Sequence, residues 1–315
     1  MSHVQRTAII GAGIMGCGLA THFARHGIGV MLIDHRQSNI DDAKATVSRA
    51  AAFLESEELA TADPDELTDD ISFTLDRDSG VRNADLVLET ISEDLDAKRA
   101  LFSDVVSVAP DDAVLATNTS GIGITAIAEP FPDAADRIVG CHWWNPPYMM
   151  PLVEIVRGEN TADATVERTR SFLESVERTP IVVERDVPGF VWNRIQFAVI
   201  RECMHLIEEG VASLEDVNAA VRDGYALRTA VVGPFETIDL TGLELYRTVA
   251  EDLYPHLSND DAPGSVFDVA LESGRGGVEA GAGFFEYDDS PEAVVLNRDR
   301  RIAAIRQTFS EIGEE

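Results

Sequence analysis

Short apolar runs alternate with amphipathic stretches through the first half of this 315-residue chain. The runs predict buried strands at Thr7–Ile10, Val30–Ile33, Leu86–Leu88, Val114–Ala116 and Ile138–Gly140, followed by Leu152–Val156 and Pro180–Val183. Between them the apolar residues recur at helical spacing, as in Met15–His26, Leu95–Val108 and Ala164–Val176. Strands that alternate with helices in this way form βαβ units, so the pattern predicts a Rossmann-type, doubly wound sheet of the α/β class.

The pattern changes at residues 186–189, Asp-Val-Pro-Gly. Beyond this point the apolar spacing predicts helices at Phe190–Glu209, Ser213–Asp223, Glu244–Tyr254 and Pro291–Ile312. A single core rarely grows beyond about 250 residues, which also favours two domains. We therefore expect an α/β domain over residues 1–186 and an all-α domain over residues 187–315.

A glycine-rich segment connects the first predicted strand with the first predicted helix. Residues 11–16, Gly-Ala-Gly-Ile-Met-Gly, have the Gly-x-Gly-x-x-Gly spacing of a dinucleotide-binding turn. Gly11 allows the tight turn, Gly13 lets the backbone approach a pyrophosphate, and Gly16 permits close packing of helix and strand. With Ile14 and Met15, Gly16 opens the helix whose N-terminal amides are the expected donors to the phosphates.

The second predicted strand ends in Asp34, eighteen residues after Gly16. A carboxylate at this position accepts hydrogen bonds from the hydroxyl groups of an adenosine ribose and repels a 2′-phosphate. The sequence therefore predicts NAD rather than NADP as the cofactor. The alternative is a structural glycine turn in which Asp34 caps a helix, but the strand–turn–helix context favours the cofactor site.

The charge of the chain narrows the classes of partner. Fifty-six acidic and 25 basic residues give a formal net charge of −31. Because nucleic acids bind basic surfaces, we expect no nucleic-acid partner and instead a solvated acidic surface of the kind that suits a halophilic host. No apolar run reaches the roughly 18 residues of a membrane span, and the polar N-terminus does not resemble a signal peptide. We therefore expect a cytoplasmic protein without a membrane partner.

Cysteine and histidine positions give no indication of a metal site. Cys17, Cys141 and Cys203 form no Cys-x-x-Cys pair. His22 and His26 lie four residues apart on a predicted helix, but no third ligand lies nearby in the sequence. We therefore expect no bound metal, and we expect the two histidines to lie on a surface helix.

The segment with the most candidate chemistry is residues 140–147, Gly-Cys-His-Trp-Trp-Asn-Pro-Pro. His142 follows a predicted strand at its carboxyl end, where ligands bind in doubly wound sheets. Asn145 and Glu154 follow within twelve residues, and Thr117–Ser120 leaves another strand at the same edge. A histidine beside aromatic residues is usually packed in a core, but these polar neighbours favour a catalytic site and a small-molecule substrate.

Together these motifs resemble the L-3-hydroxyacyl-CoA dehydrogenase family, over nearly the whole chain. Besides the glycine loop, the matching motifs are Asn-Thr-Ser at 118–120, His-x-x-Asn-Pro at 142–146, Leu-Val-Glu at 152–154, Pro-Gly-Phe-x-x-Asn-Arg at 188–194, Gly-Pro-Phe-Glu at 233–236 and Gly-Phe-Phe-x-Tyr at 283–287. The resemblance implies an NAD-dependent oxidoreductase of fatty acid metabolism that interconverts L-3-hydroxyacyl and 3-oxoacyl groups by hydride transfer. It also implies a homodimer formed through the helical domain.

The resemblance assigns roles to individual residues. His142 would take the hydroxyl proton of the substrate, and Glu154 would orient the imidazole ring and stabilise the imidazolium that forms. Ser120 and Asn193 would hydrogen-bond the substrate oxygens. Asn145 would help to position the substrate and the nicotinamide.

Two charged residues match family positions that contact the nicotinamide ribose side of the cofactor. They are Glu93 and Lys98, at the start of the helix predicted over Leu95–Val108. A solvated helix start with a surface lysine would give the same residues, so for Lys98 this alternative stays open.

The sequence leaves the substrate open between a CoA thioester and a free acid. In acyl-CoA enzymes of the family, the helix after the second strand meets the CoA nucleotide with lysines and a serine. The matching stretch here contains Ala50 and then Glu-Ser-Glu-Glu at 55–58, and a family lysine is replaced by Glu279. Residues 224–230, with Arg228, resemble the branch that acts on gulonate and carnitine. There Arg228 would clamp a carboxylate, unless it forms a surface or interface ion pair.

Other residues favour the acyl-CoA enzymes. These are the segment 239–243, Asp-Leu-Thr-Gly-Leu, and the Gly-Phe-Phe-x-Tyr motif. The weight of the family favours a 3-hydroxyacyl-CoA by a narrow margin over a free 3-hydroxy acid. A third alternative, an inactive NAD-binding structural protein, is disfavoured because both His142 and Glu154 are present.

Overall fold

Eight strands form a single sheet in the computed structural model, which describes residues 4–59 and 63–313. They are β1 (Arg6–Ile10), β2 (Gly29–Ile33), β3 (Ile71–Thr74), β4 (Leu86–Glu89), β5 (Val114–Thr117), β6 (Ile138–His142), β7 (Leu152–Val156) and β8 (Thr179–Val183). Their order across the sheet is β3-β2-β1-β4-β5-β6-β7-β8. Neighbouring strands are parallel except β6 and β7, which are antiparallel. The predicted doubly wound sheet is confirmed.

Helices follow most of these strands and then make up the rest of the chain. Those within the sheet-bearing part are α1 (Ile14–Ala24), α2 (Gln37–Ser56), α3 (Pro64–Asp69), α4 (Arg77–Val81), α5 (Leu95–Val108), α6 (Ile124–Ala128) and α7 (Asp163–Ser175). The later ones are α8 (Trp192–Glu208), α9 (Leu214–Ala219), a π-helix (Ala220–Ala226), α10 (Leu227–Thr229), α11 (Pro234–Thr241), α12 (Leu243–Leu253), α13 (Ser265–Glu272) and α14 (Pro291–Gly313). In the described ranges, no helix has the length and apolarity needed to cross a membrane.

Side-chain alternation on the strands builds a core on each face of the sheet. On β1, Ile9 belongs to one apolar cluster, while Ala8 and Ile10 belong to the other. Helices α1, α2 and α7 cover the first face, and α4, α5 and α6 cover the second. Strands buried on both faces read as continuous apolar runs, which is why the sequence pattern located them.

The strand β3 was not predicted from the sequence. It pairs with β2 at the edge of the sheet, and only Ile71 in its sequence Ile-Ser-Phe-Thr is fully buried. An edge strand of four residues with polar Ser72 and Thr74 lacks the apolar run that marks a central strand. The period-based prediction therefore missed it.

Contacts divide the chain into two units. The first contains residues 1–191 together with residues 297–315, and the second contains residues 192–296. The sequence pattern had placed residues 297–315 with the helical domain. Their contacts explain the difference, because Arg306 Nη1 donates to the carbonyl of Met149 at 2.8 Å and Gln307 Nε2 donates to the carbonyl of Glu57 at 2.9 Å.

His22 on α1 is not a surface residue. His22 is fully buried, its Nε2 donates to the carbonyl of Val176 at 2.9 Å, and its Nδ1 accepts from Arg178 at 2.7 Å. Burial, aided by the nearby Arg178 charge, lowers the pKa of His22 well below its ordinary value. The expectation of a surface helix was wrong for His22, because its ring packs against Phe23 and Trp143 in the core.

Candidate active site

The glycine loop after β1 has a backbone that only glycine can form. Gly11 has a φ of +113°, and a Cβ on this residue would lie 2.8 Å from Thr90 Oγ1. A Cβ on Gly16 would lie only 1.9 Å from the carbonyl oxygen of Gly11. These two glycines let the first turn of α1 pack directly on the loop.

Gly13 has a different role in this loop. It is exposed at the N-terminus of α1, and a Cβ placed on it would have no heavy atom within 4 Å. The exposed Ile14 and the half-buried Met15 follow it. The open space beside the helix N-terminus fits the close approach of a pyrophosphate to backbone amides.

Asp34 is held beside the glycine loop by a set of hydrogen bonds. Its Oδ2 accepts from the amide of Ala12 at 3.0 Å, and its Oδ1 accepts from the amide of Arg36 and from Asn39 Nδ2, each at 3.0 Å. It lines a cavity of about 630 Å³ together with Gly11, His35, Leu75, Arg77 and Ile91. A buried carboxylate in a cavity next to the loop fits an adenosine ribose with a free 2′-hydroxyl.

His142 and Glu154 form a buried hydrogen-bonded pair. They are register partners in the antiparallel pair of β6 and β7, and His142 Nδ1 lies 2.8 Å from Glu154 Oε2. His142 is 2% exposed and Glu154 is fully buried. An ionised carboxylate can only accept a hydrogen bond, so this contact favours the tautomer with the proton on Nδ1 and the lone pair on Nε2.

The second oxygen of Glu154 and the ring of His142 are also held. Glu154 Oε1 accepts from the amide of Val191 at 2.9 Å. The rings of Trp144 and Phe190 meet the imidazole edge-on, with centroid distances of 4.2 and 5.6 Å. Phe190 has a φ of 50°, an uncommon conformation for a bulky residue. The segment 188–191 thus supports the pair directly, a contact that the sequence did not reveal.

The loop that carries Ser120 leaves β5 at the same edge of the sheet. Ser120 is exposed, and its amide donates to Glu93 Oε1 at 3.0 Å. Glu93 Oε1 also accepts from Thr119 Oγ1 at 2.5 Å and from the amide of Gly121 at 3.1 Å. Burial raises the pKa of the Glu93 carboxyl, but the Thr119 donor and the Lys98 ammonium outweigh it, so the pKa is lowered overall.

Lys98 is not a surface lysine. It is 1% exposed, and its Nζ lies 2.7 Å from Glu89 Oε1 and 3.5 Å from Glu93 Oε2. Glu89, at the end of β4, was missed by the sequence analysis. A single charged residue that closes an apolar strand at the ligand-binding edge was the available signal.

The remaining predicted residues lie in other environments. Asn145 is exposed on the segment after β6. Asn193, on α8, and Arg228, on α10, belong to the second unit. Arg228 is exposed and lies just after Leu227, which follows the π-helix Ala220–Ala226; this π-helix takes up residues 224–226 of the segment singled out in the sequence. A π-helix accommodates an extra residue and often marks a functional site.

Comparisons with known proteins place this arrangement in a family. The NAD-binding domain of 3-hydroxyacyl-CoA dehydrogenase matches residues 6–187, and the C-terminal domain of the same enzyme matches residues 189–287. The chain belongs to the 3-hydroxyacyl-CoA dehydrogenase family. As a member of this family it is an oxidoreductase with an NAD-binding domain, which confirms the predicted cofactor and family.

Individual members of the 3-hydroxyacyl-CoA dehydrogenase family differ in substrate. The 5-formyl-3-hydroxy-2-methylpyridine 4-carboxylate 5-dehydrogenase of Mesorhizobium japonicum is 34% identical over 305 residues, 96% of this chain and 98% of the relative. An L-carnitine dehydrogenase of Streptomyces griseus is 36% identical over 242 residues, 76% of this chain and 71% of the relative. A crystal structure of an enzyme with the same pyridine substrate, described as an NAD+-dependent dismutase, has a TM-score of 0.89 at 33% identity and covers 98% of this chain and 99% of its own.

The last and the middle glycine of the cofactor loop, Gly16 and Gly13, should respond differently to a methyl group. We expect Gly16→Ala to lower the free energy of unfolding by about 1–3 kcal/mol or more, because its Cβ would collide with the Gly11 carbonyl. We expect Gly13→Ala to change stability by less than about 0.5 kcal/mol but to weaken NADH binding. Urea unfolding and NADH fluorescence titration measure the two effects. Equal stability of the two variants would contradict the packing argument.

Proposed function

We propose that this protein transfers a hydride between a substrate alcohol and NAD, with His142 as the base. The observation that carries the proposal is the buried His142–Glu154 hydrogen bond of 2.8 Å at the ligand-binding edge of the sheet. Imidazole suits the task because its ordinary pKa lies near neutral pH. Bound NAD supplies the hydride acceptor for the reaction.

His142 acts on the hydroxyl group of the substrate. In the oxidative direction its Nε2 accepts the hydroxyl proton while the carbon–hydrogen bond breaks and the carbonyl forms. Glu154 keeps the proton on Nδ1 and stabilises the imidazolium through charge, and Val191 holds the other carboxylate oxygen. In the reductive direction the imidazolium returns this proton to the carbonyl oxygen.

Other residues bind and orient the two ligands in this proposal. The hydroxyl of Ser120 and the amides of Asn145 and Asn193 bind substrate oxygens. The amides at the N-terminus of α1 hold the pyrophosphate, and Asp34 accepts from the adenosine ribose hydroxyls. The hydrogen bonds of Glu93 to the 119–121 loop support its assignment near this site.

We further propose that the substrate is a free carboxylated alcohol rather than a CoA thioester. The family resemblance implies that a CoA nucleotide would bind at the helix after the second strand, which is α2. In this chain the end of α2 is occupied, because Ala303 and Ile302 of α14 pack in one apolar cluster with Phe53, Leu54 and Met149. Glu57 beyond α2 binds Arg300 at 3.1 Å. The acidic residues Glu55 and Glu58 add charge that repels a phosphate.

The relatives support the free carboxylate of this class, although the pyridine relative is named for a formyl group and not for an alcohol. The pyridine carboxylate and carnitine dehydrogenases are named for substrates that carry a free carboxylate. Arg228 forms no ion pair with any residue in 4–59 or 63–313 that would compete for such a group. An arginine fork binds a carboxylate through two parallel hydrogen bonds, so Arg228 is the proposed carboxylate clamp. A 3-hydroxyacyl-CoA, favoured by the family name and by residues 239–243, is the second candidate.

We also propose a homodimer with an acidic surface adapted to salt. The unit of residues 192–296 exposes large apolar side chains, among them Leu227, Val231, Phe235, Leu240 and Leu243, and Phe235 is 80% exposed. Exposed apolar side chains in such numbers are typical of a protein interface. The net charge of −31 repels itself at low ionic strength.

Removing the base or its carboxylate should separate chemistry from cofactor binding. We expect His142→Gln to lower kcat by about 10²–10⁴-fold with NADH affinity nearly unchanged. Glu154→Gln should also slow turnover severely, because the amide carries no charge to stabilise the imidazolium. Glu167→Gln, which breaks an exposed ion pair with Arg170 on α7, is the matched control. NADH binding without turnover of any hydroxy compound by the natural chain would instead support an inactive structural protein.

A substrate panel separates the two candidate substrates. We expect NADH formation with free hydroxy acids, including hydroxymethylpyridine carboxylates and 3-hydroxy acids, and little with 3-hydroxybutyryl-CoA. Arg228→Met should raise the KM for the carboxylate by about 10–100-fold. Arg222→Met, which removes an exposed arginine paired with Asp223, is the control. Efficient turnover of the CoA thioester would refute the proposed substrate class.

Oligomeric state and salt response are measurable together. We expect a molar mass of two chains by light scattering, and a melting temperature that rises with KCl because salt screens the acidic surface. Phe235→Asp should shift the mass toward one chain by placing a charge in the interface. A single-chain mass for the natural sequence would contradict the dimer, and a melting temperature insensitive to salt would contradict the adaptation.

A further inference from the structure

A buried ion pair lies beneath the loop that carries Ser120. Glu89 ends β4 and Lys98 lies on α5, and both are 1% exposed. Their charged atoms are 2.7 Å apart. Burying two charges is costly, and hydrophobic residues of the same size often stabilise a fold equally well. The pair therefore needs a reason beyond stability.

Glu89 uses both of its oxygens to join three segments. Oε1 accepts from Lys98 Nζ and from the amide of Ile91, each at 2.7 Å. Oε2 accepts from Thr117 Oγ1 at 2.6 Å. The ends of β4 and β5 and the first turn of α5 are thus held around one carboxylate.

Lys98 extends this network to a second carboxylate. Its Nζ lies 3.5 Å from one carboxylate oxygen of Glu93, Oε2. The other oxygen, Oε1, accepts from Thr119 Oγ1 and from the amides of Ser120 and Gly121. The side chain of Glu93 is 45% exposed, and Lys98 holds its Oε2 oxygen while the loop donors hold Oε1.

We propose that Glu89 is a positioning residue for Ser120. Glu89 holds the Lys98 ammonium at a buried point, the ammonium orients Glu93, and the Glu93 carboxylate sets the backbone at residues 119–121 from which the Ser120 hydroxyl reaches the substrate. This inference depends on the proposed function for the role of Ser120 alone. The network itself consists of contacts within the first unit.

The cluster contains two carboxylates for one ammonium. Thr117, Ile91 and the 119–121 loop provide the remaining donors, so the excess negative charge is satisfied by hydrogen bonds rather than by a second cation. Neutral side chains at positions 89 and 98 would keep the packing but would remove the attraction between Lys98 and Glu93. This distinction makes the positioning role separable from a stabilising one.

The test compares single and double substitutions. Glu89→Gln and Lys98→Met each leave a buried charge without its partner, so both should lower the melting temperature. The double variant carries neither charge and should regain most of the lost stability. The control is Glu129→Gln. It breaks an exposed ion pair with Arg99, which lies on α5 as Lys98 does.

Hydrogen exchange reports on the loop without any need for turnover. In the stable double variant we expect faster exchange at the amides of Ser120 and Gly121, which Glu93 holds, with no change around α7. Exchange equal to that of the natural chain in a double variant of native stability would overturn the proposal. This readout is independent of whether the proposed reaction is correct.

Kinetics then connect the loop to the substrate. We expect the double variant, assayed at saturating NAD because Lys98 matches a family position that contacts the cofactor, to lose about 10–100-fold in kcat/KM for the substrate. In a Ser120→Ala background the same double substitution should have little further effect. Weaker NADH binding with an unchanged substrate KM would show that Lys98 acts on the cofactor, and would overturn the proposal. Absence of turnover in the natural chain would refute the proposed function. The hydrogen-exchange result would still decide whether Glu89 positions the loop at residues 119–121.

Discussion

The hydrogen bond between His142 and Glu154 depends on the one antiparallel pair in the sheet. In a parallel continuation, β7 would return to the opposite edge and begin far from the end of β6. Because β7 turns back directly, His142 and Glu154 face each other as register partners. Side chains paired across antiparallel strands have Cβ atoms about 4.5–5.5 Å apart, within reach of one hydrogen bond. Glu154 therefore lies twelve residues after His142, because the connecting loop and the first residues of β7 come between them.

Carboxylates hold several loops at this edge of the sheet. Each accepts from a backbone amide: Asp34 from Ala12, Glu89 from the nearby Ile91, Glu93 from Ser120 and Gly121, and Glu154 from Val191. A charged acceptor makes a stronger hydrogen bond than a neutral one, and a buried charge without such donors would be costly. The acidic residues at this edge thus have a different task from those on the solvated surface, although composition alone does not distinguish the two groups.

Local pattern explains what the sequence predicted and what it missed. Central strands such as β1 and β4 are apolar on both faces, so their runs identified the sheet, and Gly16 was identified by a motif whose steric reason the structure shows. Contacts between distant segments were not predictable from period or motif. The burial of His22 and the Val191 amide on Glu154 join residues far apart in the chain, and the Lys98–Glu89 pair joins a helix to a strand end. The return of α14 to the first unit is of the same kind.

The position of α14 limits what can bind at the end of α2. The pair of His142 and Glu154, the glycine loop and the Ser120 loop all lie at strand ends whose geometry is set by the sheet, so they can remain while the surroundings change. The segment 297–309 contacts α2 and the loop at Met149 through Ala303, Arg300 and Arg306. Residues on α2 that are packed against a helix are not available to a bulky nucleotide. In the proposed function, α14 therefore excludes a CoA nucleotide from this surface of α2, while the pair of His142 and Glu154 keeps its arrangement.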